Sequence, residues 1–131
     1  GFKNIIRRSI AADYATFTLA LDGNKLRSRC ATIVDAWYVD MTGAVEISAS
    51  AWTHIALVRN GPTFTQYVDG VADGTVGGDQ ALLSGPVALY VGAQSDTASG
   101  FSGHIDEVRI TKGIARYTSD FTPPTAAFPN S

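Results

Sequence analysis

The fold is decided by residues 52–70, WTHIALVRNGPTFTQYVDG, which carry two strand patterns and two turns. Residues 54–59 and residues 64–69 each fit a strand with a period of two, in which alternate side chains share a face. In the first strand one face carries Ile55, Leu57 and Arg59, and in the second strand one face carries Phe64, Gln66 and Val68. Asn60-Gly61-Pro62 joins the two strands, because Asn and Gly tolerate positive φ angles and Pro donates no ladder hydrogen bond. Asp69-Gly70 is a second turn of hairpin type, so the segment predicts a three-stranded antiparallel meander.

Strand patterns continue on the N-terminal side of this meander. Residues 1–8 predict a short edge strand whose charged side chains protect its open side. Residues 16–21 and 26–30 predict a hairpin around the turn Asp22-Gly23-Asn24. Residues 37–47 predict two further strands. Three apolar side chains are expected to share one face of the first of these: Trp37, Val39 and Met41.

Strand patterns also continue on the C-terminal side. Residues 87–91 and 101–110 alternate, and a one-residue bulge at Asp106-Glu107 accounts for the change of parity within the second segment. Residues 114–121 have an apolar spacing that fits one helical turn, and the prolines that follow predict an extended tail. The chain therefore predicts about ten short strands and almost no helix, which indicates an antiparallel sandwich or barrel.

Length, charge and cysteine content limit the classes of protein. The 131 residues, 45% of them hydrophobic, fit a single compact domain. The formal net charge of −2 argues against a nucleic-acid partner, because phosphate backbones require a basic surface. No apolar run approaches the length of about eighteen residues that a membrane span needs, so membrane insertion is not expected. Cys30, the single cysteine, is expected in the core rather than as a reactive thiol.

The basic residues are concentrated at the start of the chain. Residues 1–30 contain six Lys and Arg against two Asp, a net charge of +4. Solvated strand surface is the favoured interpretation of this basic end, and an anion-binding site is the alternative.

The order and spacing of several motifs resemble a known family. Residues 52–70 are followed by LYVGAQ at residues 89–94 and by FSGHIDEVRITKGIARYTSDFTPPTAAFP at residues 101–129. Together they resemble the laminin-G-like, concanavalin A-like lectin/glucanase family, in the version common in tailed-phage structural proteins and bacterial surface proteins. The resemblance is continuous from about Trp52 to Pro129.

The resemblance implies an all-β fold, an antiparallel jelly-roll β-sandwich. It implies one laminin-G-like domain over residues 1–131, with an extended Pro-rich tail at about 122–131. Family members usually begin with an aromatic-rich strand pair that closes both sheets, and if Gly1 is the true start of the chain, an unfilled sheet edge is expected. Two expectations therefore stay open: the sandwich lacks its N-terminal strands and a neighbouring chain covers the edge, or the sandwich is smaller than usual.

The resemblance leaves more than one function open, because this fold hosts lectins, glycosidases and structural modules. We expect a non-catalytic, lectin-like carbohydrate-binding or adhesion module, whose partner is a glycan or cell-surface polysaccharide. The alternative is a virion decoration or cementing module that binds no sugar. Such a module would pair with other virion or surface proteins, or with its own copies, through an open sheet edge. Both hypotheses place the chain on a virion or an extracellular surface.

A sugar site needs an aromatic ring against the sugar face and polar side chains on the hydroxyls. Three tyrosines alternate against apolar neighbours and are expected to line one face: Tyr38, Tyr67 and Tyr90. Gln94 and Asp96 are expected at its rim, on the polar loop 92–100. These five residues form the predicted carbohydrate site. The alternative is that the tyrosines are packing residues with a solvated hydroxyl.

Catalysis is not expected, and calcium is the one cofactor that the resemblance suggests. Glycosidases of this fold place two carboxylates about 5 Å apart on one strand face, whereas the adjacent Asp106 and Glu107 point to opposite faces of a regular strand. In the family, the aspartate of the IDEVR motif sometimes binds a structural calcium, which makes Asp106 the candidate metal ligand. Calcium takes six to eight oxygen ligands, so a role for Asp106 in a turn is favoured. His54 and His104 lack a third zinc ligand.

Overall fold

The fold consists of eight β-strands in two antiparallel sheets. The computed structural model describes residues 2–9, 15–33, 36–94 and 100–129. The strands are β1 Phe2–Ser9, β2 Ala15–Asp22, β3 Lys25–Ile33, β4 Ala36–Glu46, β5 Ile55–Asn60, β6 Thr63–Val68, β7 Val71–Gly77 and β8 Leu89–Val91. The five-stranded sheet has the order β4-β3-β2-β1-β8 and the three-stranded sheet the order β5-β6-β7. None of the described residues belongs to a helix that could span a membrane.

The three-stranded sheet is the meander predicted from residues 52–70. Asn60 pairs with Thr63 across the first turn, where Gly61 has a φ of 57°. Asp69 and Gly70 form the second turn with φ angles of 48° and 81°. Positive φ at both central residues is the geometry that twisted hairpins prefer. The meander and its turns are confirmed.

The core lies between the two sheets in two adjoining clusters. One contains Cys30, Val39, Met41 and Phe64, and the other contains Leu19, Leu26 and Val68. Each cluster takes side chains from both sheets, so each joins the two layers. Cys30 is buried as expected, and burial raises the pKa of its thiol to about 12, which keeps the thiol protonated at neutral pH.

Polar groups also join the two sheets. Gln66 on β6 donates from Nε2 to Leu26 O on β3, at 3.3 Å, and to Asp73 O, at 3.1 Å. The Asp73 carboxylate on β7 accepts hydrogen bonds from Ala44 N and Val45 N on β4. These bonds hold the end of β4 against the smaller sheet.

The expectation that the first strand lies at a sheet edge is wrong. β1 lies between β2 and β8, with Ile6 opposite Val91 on its second side. Its arginines therefore protect no open edge. Arg8 instead donates to Thr16 Oγ1 and to Gly85 O, at 2.8 and 2.6 Å, which ties the strand to its surroundings.

The predicted break between two strands in residues 37–47 is also wrong, because β4 runs continuously from Ala36 to Glu46. Its register against β3 shifts where Cys30 pairs with Val39 but the next residue pairs with Trp37. Tyr38 is the extra residue of this irregularity. As a result, Trp37 lies on the opposite face from Val39, and the predicted shared face of these two residues is incorrect.

The described C-terminal residues 101–129 contain neither the predicted strand with its bulge at Asp106-Glu107 nor the predicted helical turn. Isolated backbone bonds, Phe101 N to Gly92 O and Phe121 N to Gly70 O, attach this segment to the rest of the fold. The alternation in residues 101–110 indicated a face that can be buried. Val108 and Ile110 nevertheless remain exposed, because no described strand pairs with the segment.

Candidate functional site

The candidate site is a pocket on the outer face of the five-stranded sheet. Its volume is about 160 Å³. It is lined by Phe2, Asn4, Arg7, Thr18, Ala20, Arg27, Arg29, Trp37 and Gln94. We call it the arginine–aromatic pocket.

Strand register explains why these residues meet. Side chains that are directly opposite on neighbouring strands share a face. One row across the outer face consists of Arg7, Thr18, Arg29 and Asp40, on β1, β2, β3 and β4. A second row consists of Asn4, Ala20, Arg27 and Thr42. The outer face of the hairpin β2–β3 is therefore polar, whereas its inner face supplies the core.

The floor of the pocket is polar yet buried. Asn4 and Thr18 have 2% and 4% of their surface exposed. Asn4 Nδ2 donates to Gln94 Oε1 at 3.5 Å, a long hydrogen bond. Thr18 Oγ1 has no hydrogen-bond partner among the described residues. A buried hydroxyl without a partner destabilises the fold by about 1–3 kcal/mol, and a bound ligand or water would relieve this.

The wall of the pocket is built from arginines stacked on aromatic rings. The Arg29 guanidinium lies between two rings, 4.6 Å from the centroid of Phe2 and 5.1 Å from that of Trp37. Arg27 also lies over Phe2, at 4.8 Å. Such cation–π contacts hold each guanidinium in a fixed orientation and contribute about 0.5–1 kcal/mol each at exposed sites.

Two carboxylates at the edge of the pocket are engaged by Arg27. Its Nε and Nη2 donate to the two oxygens of Asp40, both at 2.8 Å, and its Nη1 donates to Asp22 Oδ2 at 2.8 Å. Arg29 Nε donates to Asp40 Oδ1 at 3.1 Å. The hydrogen bonds from Arg27, with a smaller contribution from Arg29, lower the pKa of Asp40, so this carboxylate stays ionised.

Comparison with known proteins agrees with this architecture. A family model described as the concanavalin A-like lectin/glucanases superfamily matches residues 2–115. The chain belongs to this superfamily. The match includes all eight strands and the whole pocket, and the expected all-β jelly-roll class is confirmed. Neither the search of curated proteins nor that of solved structures returns a significant match.

The three tyrosines predicted for the sugar site of this lectin/glucanase-like domain do not lie together. Tyr38 on β4 is half-buried against the core, and its hydroxyl accepts a hydrogen bond from Gln80 N at 3.2 Å. Tyr90 is on β8, at the other end of the five-stranded sheet. Four strand spacings separate these strands, about 19 Å. Tyr67 lies on the other sheet and is only 3% exposed. A shared tyrosine face is therefore not formed.

The two predicted rim residues have different outcomes. Gln94 lines the arginine–aromatic pocket and contacts Asn4. Asp96 lies outside the residues that the structure describes. Gln94 is thus the one predicted carbohydrate residue that the described structure places in this pocket, and its role in binding stays a prediction.

The other pocket residues were not predicted as carbohydrate-site residues, although Arg7, Arg27 and Arg29 belong to the basic end for which an anion-binding site was the alternative. The alternation in residues 26–30 does carry a usable signal, since it separates Arg27 and Arg29 from the core positions. Phe2 and Asn4 join them through strand pairing, and Trp37 joins through the register shift in β4. Neither the pairing nor the shift is visible in the sequence.

Asp106, the predicted metal ligand, is exposed and lies outside the strands. Its Oδ1 accepts a hydrogen bond from Glu107 N at 2.8 Å, and Glu107 has a φ of 53°. Among the described residues no group of three or more His, Cys, Asp or Glu side chains is arranged to hold a metal ion. Calcium requires six to eight oxygens. The described residues therefore do not by themselves fit a calcium site at Asp106, and a calcium requirement stays a prediction.

Proposed function

We propose that this domain is a non-catalytic carbohydrate-binding module that holds a glycan in the arginine–aromatic pocket. The observation that carries the proposal is the combination of aromatic rings and buried polar groups at one place on the outer face of a rigid sheet. Sugars present an apolar ring face and a rim of hydroxyls, and sites that bind them match both. In this proposal the ligand is a glycan or polysaccharide of a virion or extracellular surface, where the domain is displayed.

Each part of the pocket has a role in this proposal. The half-buried indole of Trp37, held by Arg29, offers an ordered apolar surface for a sugar ring. Asn4, Thr18 and Gln94 offer hydrogen bonds to hydroxyl groups from the floor and rim. Asp22 and Asp40 fix the arginines. Because both carboxylates already accept hydrogen bonds from Arg27, we assign them to positioning rather than to acid–base chemistry.

A glycan array on Trp37→Ala and Trp52→Ala tests this proposal. Trp52 is a matched control, because it is 70% exposed, lies outside the pocket and has His104 as its ring neighbour, with centroids 6.4 Å apart. We expect the wild type and Trp52→Ala to bind the same glycans and Trp37→Ala to lose at least tenfold in affinity. Repeating the array with chelator tests calcium. A blank array from folded wild-type protein would refute the proposal.

A second candidate function is assembly into a virion or surface lattice without sugar binding. The observation that favours it is β8, the outer strand of the five-stranded sheet, whose Leu89 and Val91 are both exposed. An exposed apolar edge strand can add a strand from another chain. This candidate predicts concentration-dependent oligomers in light scattering together with a blank glycan array. A monomer at all concentrations would count against pairing between copies.

A further inference from the structure

Several hydrogen-bond donors in the pocket have no acceptor among the described residues. Arg27 donates from Nε, Nη1 and Nη2 to carboxylates, so each nitrogen of its guanidinium already has an ionised partner. Arg29 differs, because only its Nε has a partner, Asp40, and its Nη1 and Nη2 bond to none of the described residues. Both arginines come from one strand, yet only Arg29 keeps its two terminal nitrogens for a ligand.

Arg29 is also held in place for such a ligand. Two aromatic rings enclose the guanidinium, and the bond from Nε to Asp40 fixes its rotation. A guanidinium presents two parallel N–H donors that match the two oxygens of a carboxylate. Fixing these donors before binding lowers the entropy lost when the ligand binds.

A third donor adjoins this fork. Thr18 is the direct cross-strand partner of Arg29 on β2, so their Cβ atoms are about 5 Å apart. The Thr18 hydroxyl is buried, lines the pocket and has no partner among the described residues. A ligand oxygen between the two side chains would satisfy both.

We infer that the pocket selects acidic sugars, and that the carboxylate of a uronic-acid residue binds the Arg29 fork with Thr18 as an additional donor. The inference rests on the proposed carbohydrate-binding function and adds the class of sugar. Hydrogen bonds between ionised partners are roughly twice as strong as neutral ones, so a carboxylate uses Arg29 better than a hydroxyl does. The net charge of +4 over residues 1–30 attracts an acidic polysaccharide to the same part of the chain.

The test compares polymers that differ only in charge. Calorimetry measures binding of three uronate polymers: alginate, polygalacturonate and hyaluronan. Each is tested at neutral pH with its carboxylates free (the acid) and as its methyl ester. Poly-L-glutamate serves as a carboxylate polymer without sugar. We expect at least one free acid to bind at least tenfold more tightly than its ester and than poly-L-glutamate. The affinity should fall as salt rises.

Two variants assign the effect to residues. Arg29→Lys keeps the charge but removes the fork, and we expect at least tenfold weaker binding to the acid with little change for the ester. The matched control is Arg59→Lys, because Arg59 also stacks on an aromatic ring, Phe64 at 4.8 Å, but on the other sheet.

Thr18→Val removes a buried hydroxyl without a partner, so we expect weaker binding of the acid with an unchanged or raised Tm. A purely structural role for Thr18 would leave affinity unchanged.

The possible failures are distinguishable. Equal affinity for acid and ester would overturn the acidic-sugar inference and leave the carbohydrate-binding proposal standing. Equal affinity for poly-L-glutamate would identify a carboxylate site without selectivity for sugar and would also overturn it. If no uronate binds while the array shows a neutral glycan, the inference fails alone. If the array is blank as well, both fail.

Discussion

The outer faces of the two sheets differ in the groups that contact them. On the three-stranded sheet, Tyr67 is covered by Tyr117 and Phe121 from the C-terminal segment, with ring centroids 6.4 and 5.3 Å away. On the five-stranded sheet, aromatic rings contact guanidinium groups instead and form the wall of a pocket. One face is closed by the chain itself, and the other has groups available to a ligand.

The difference indicates how similar residue types can serve stability on one face and, in our proposal, recognition on the other. Tyr117 and Phe121 stack in parallel at 3.5 Å, and His54 meets both edge-on, so the aromatic rings of this cluster are packed against one another within the chain, although His54 Nδ1 has no hydrogen-bond partner among the described residues. In the pocket, the Thr18 hydroxyl and the terminal nitrogens of Arg29 are not satisfied by the described residues. We therefore assign function to the face whose unused polar groups line a pocket, and stability to the face that the C-terminal segment covers.

The largest effect is expected from Gly70→Ala, which should detach the C-terminal segment from the closed face. Gly70 is buried with a φ of 81°, and a Cβ there would overlap the carbonyl oxygen of Phe121. Backbone strain and overlap together should lower the free energy of unfolding by about 3 kcal/mol. Urea denaturation measures this loss.

The control for Gly70→Ala is Gly61→Ala, in the other turn of the same meander. Gly61 also has a positive φ, 57°, but a Cβ there meets no atom within 4 Å. Only the left-handed backbone conformation is then penalised, by about 1 kcal/mol. Equal losses in the two variants would show that the contact with Phe121 contributes nothing and that the closed face is not held at this turn.

An intermediate effect is expected from a pair of Phe variants that separates the two faces. Phe121→Ala removes ring contacts with Tyr67, His54 and Tyr117. We expect the free energy of unfolding to fall by about 2 kcal/mol, less than for a fully buried Phe, and the glycan affinity to stay unchanged. Phe2→Ala removes the ring over Arg27 and Arg29, so we expect affinity to fall severalfold with a smaller loss of stability.

Urea denaturation and calorimetry on the same two preparations give the comparison. The assignment of the faces predicts a crossed result, in which each variant affects mainly one of the two measurements. If Phe121→Ala abolished binding, the two faces would be coupled, and the division between them would be wrong.

Local patterns predicted the meander and the hairpin β2–β3 because their turns carry their own chemistry. Gly61 in the first turn and Asp69-Gly70 in the second adopt the positive φ angles that these turns need, and the period of two separates core from outer positions. Residues 101–110 have the same period without forming a strand. Alternation indicates which side chains can share a face. A strand must also pair with a second strand, and the local sequence does not show which segment that is.

The candidate site was less predictable because it depends on contacts between distant segments. Phe2 reaches Arg27 and Arg29 only through the pairing of β1 with β2, and Trp37 reaches them only through a register shift of one residue. A one-residue shift moves a side chain to the other face of a strand. This is why the shared face expected for Trp37 and Val39 was wrong, whereas the local positions of Arg27 and Arg29 were correct.

The smallest effect concerns pH and sets the two faces apart once more. On the closed face, burial lowers the pKa of His54, with Asp69 opposing the shift and Arg109 adding to it. The unfolded chain then binds a proton more readily than the folded one, so stability is complete above the ordinary value of about 6.5 and falls as the pH drops below it. At the pocket, Arg27 lowers the pKa of Asp40. The contribution of the ionised Asp40 carboxylate to stability is therefore lost only below a pH of about 3.8.

Urea midpoints measured at pH 7.5 and pH 5 test this order of events. We expect wild-type stability to decrease between these values and His54→Gln to remove part of the decrease, while His104→Gln, at an exposed position, leaves it unchanged. The pairing of Arg27 with Asp40 should persist over the same range, because the carboxylate remains ionised. If His54→Gln kept the full decrease, protonation at the closed face would not be its cause. If acid instead weakened the pocket first, the assignment of pH sensitivity to the closed face would be reversed.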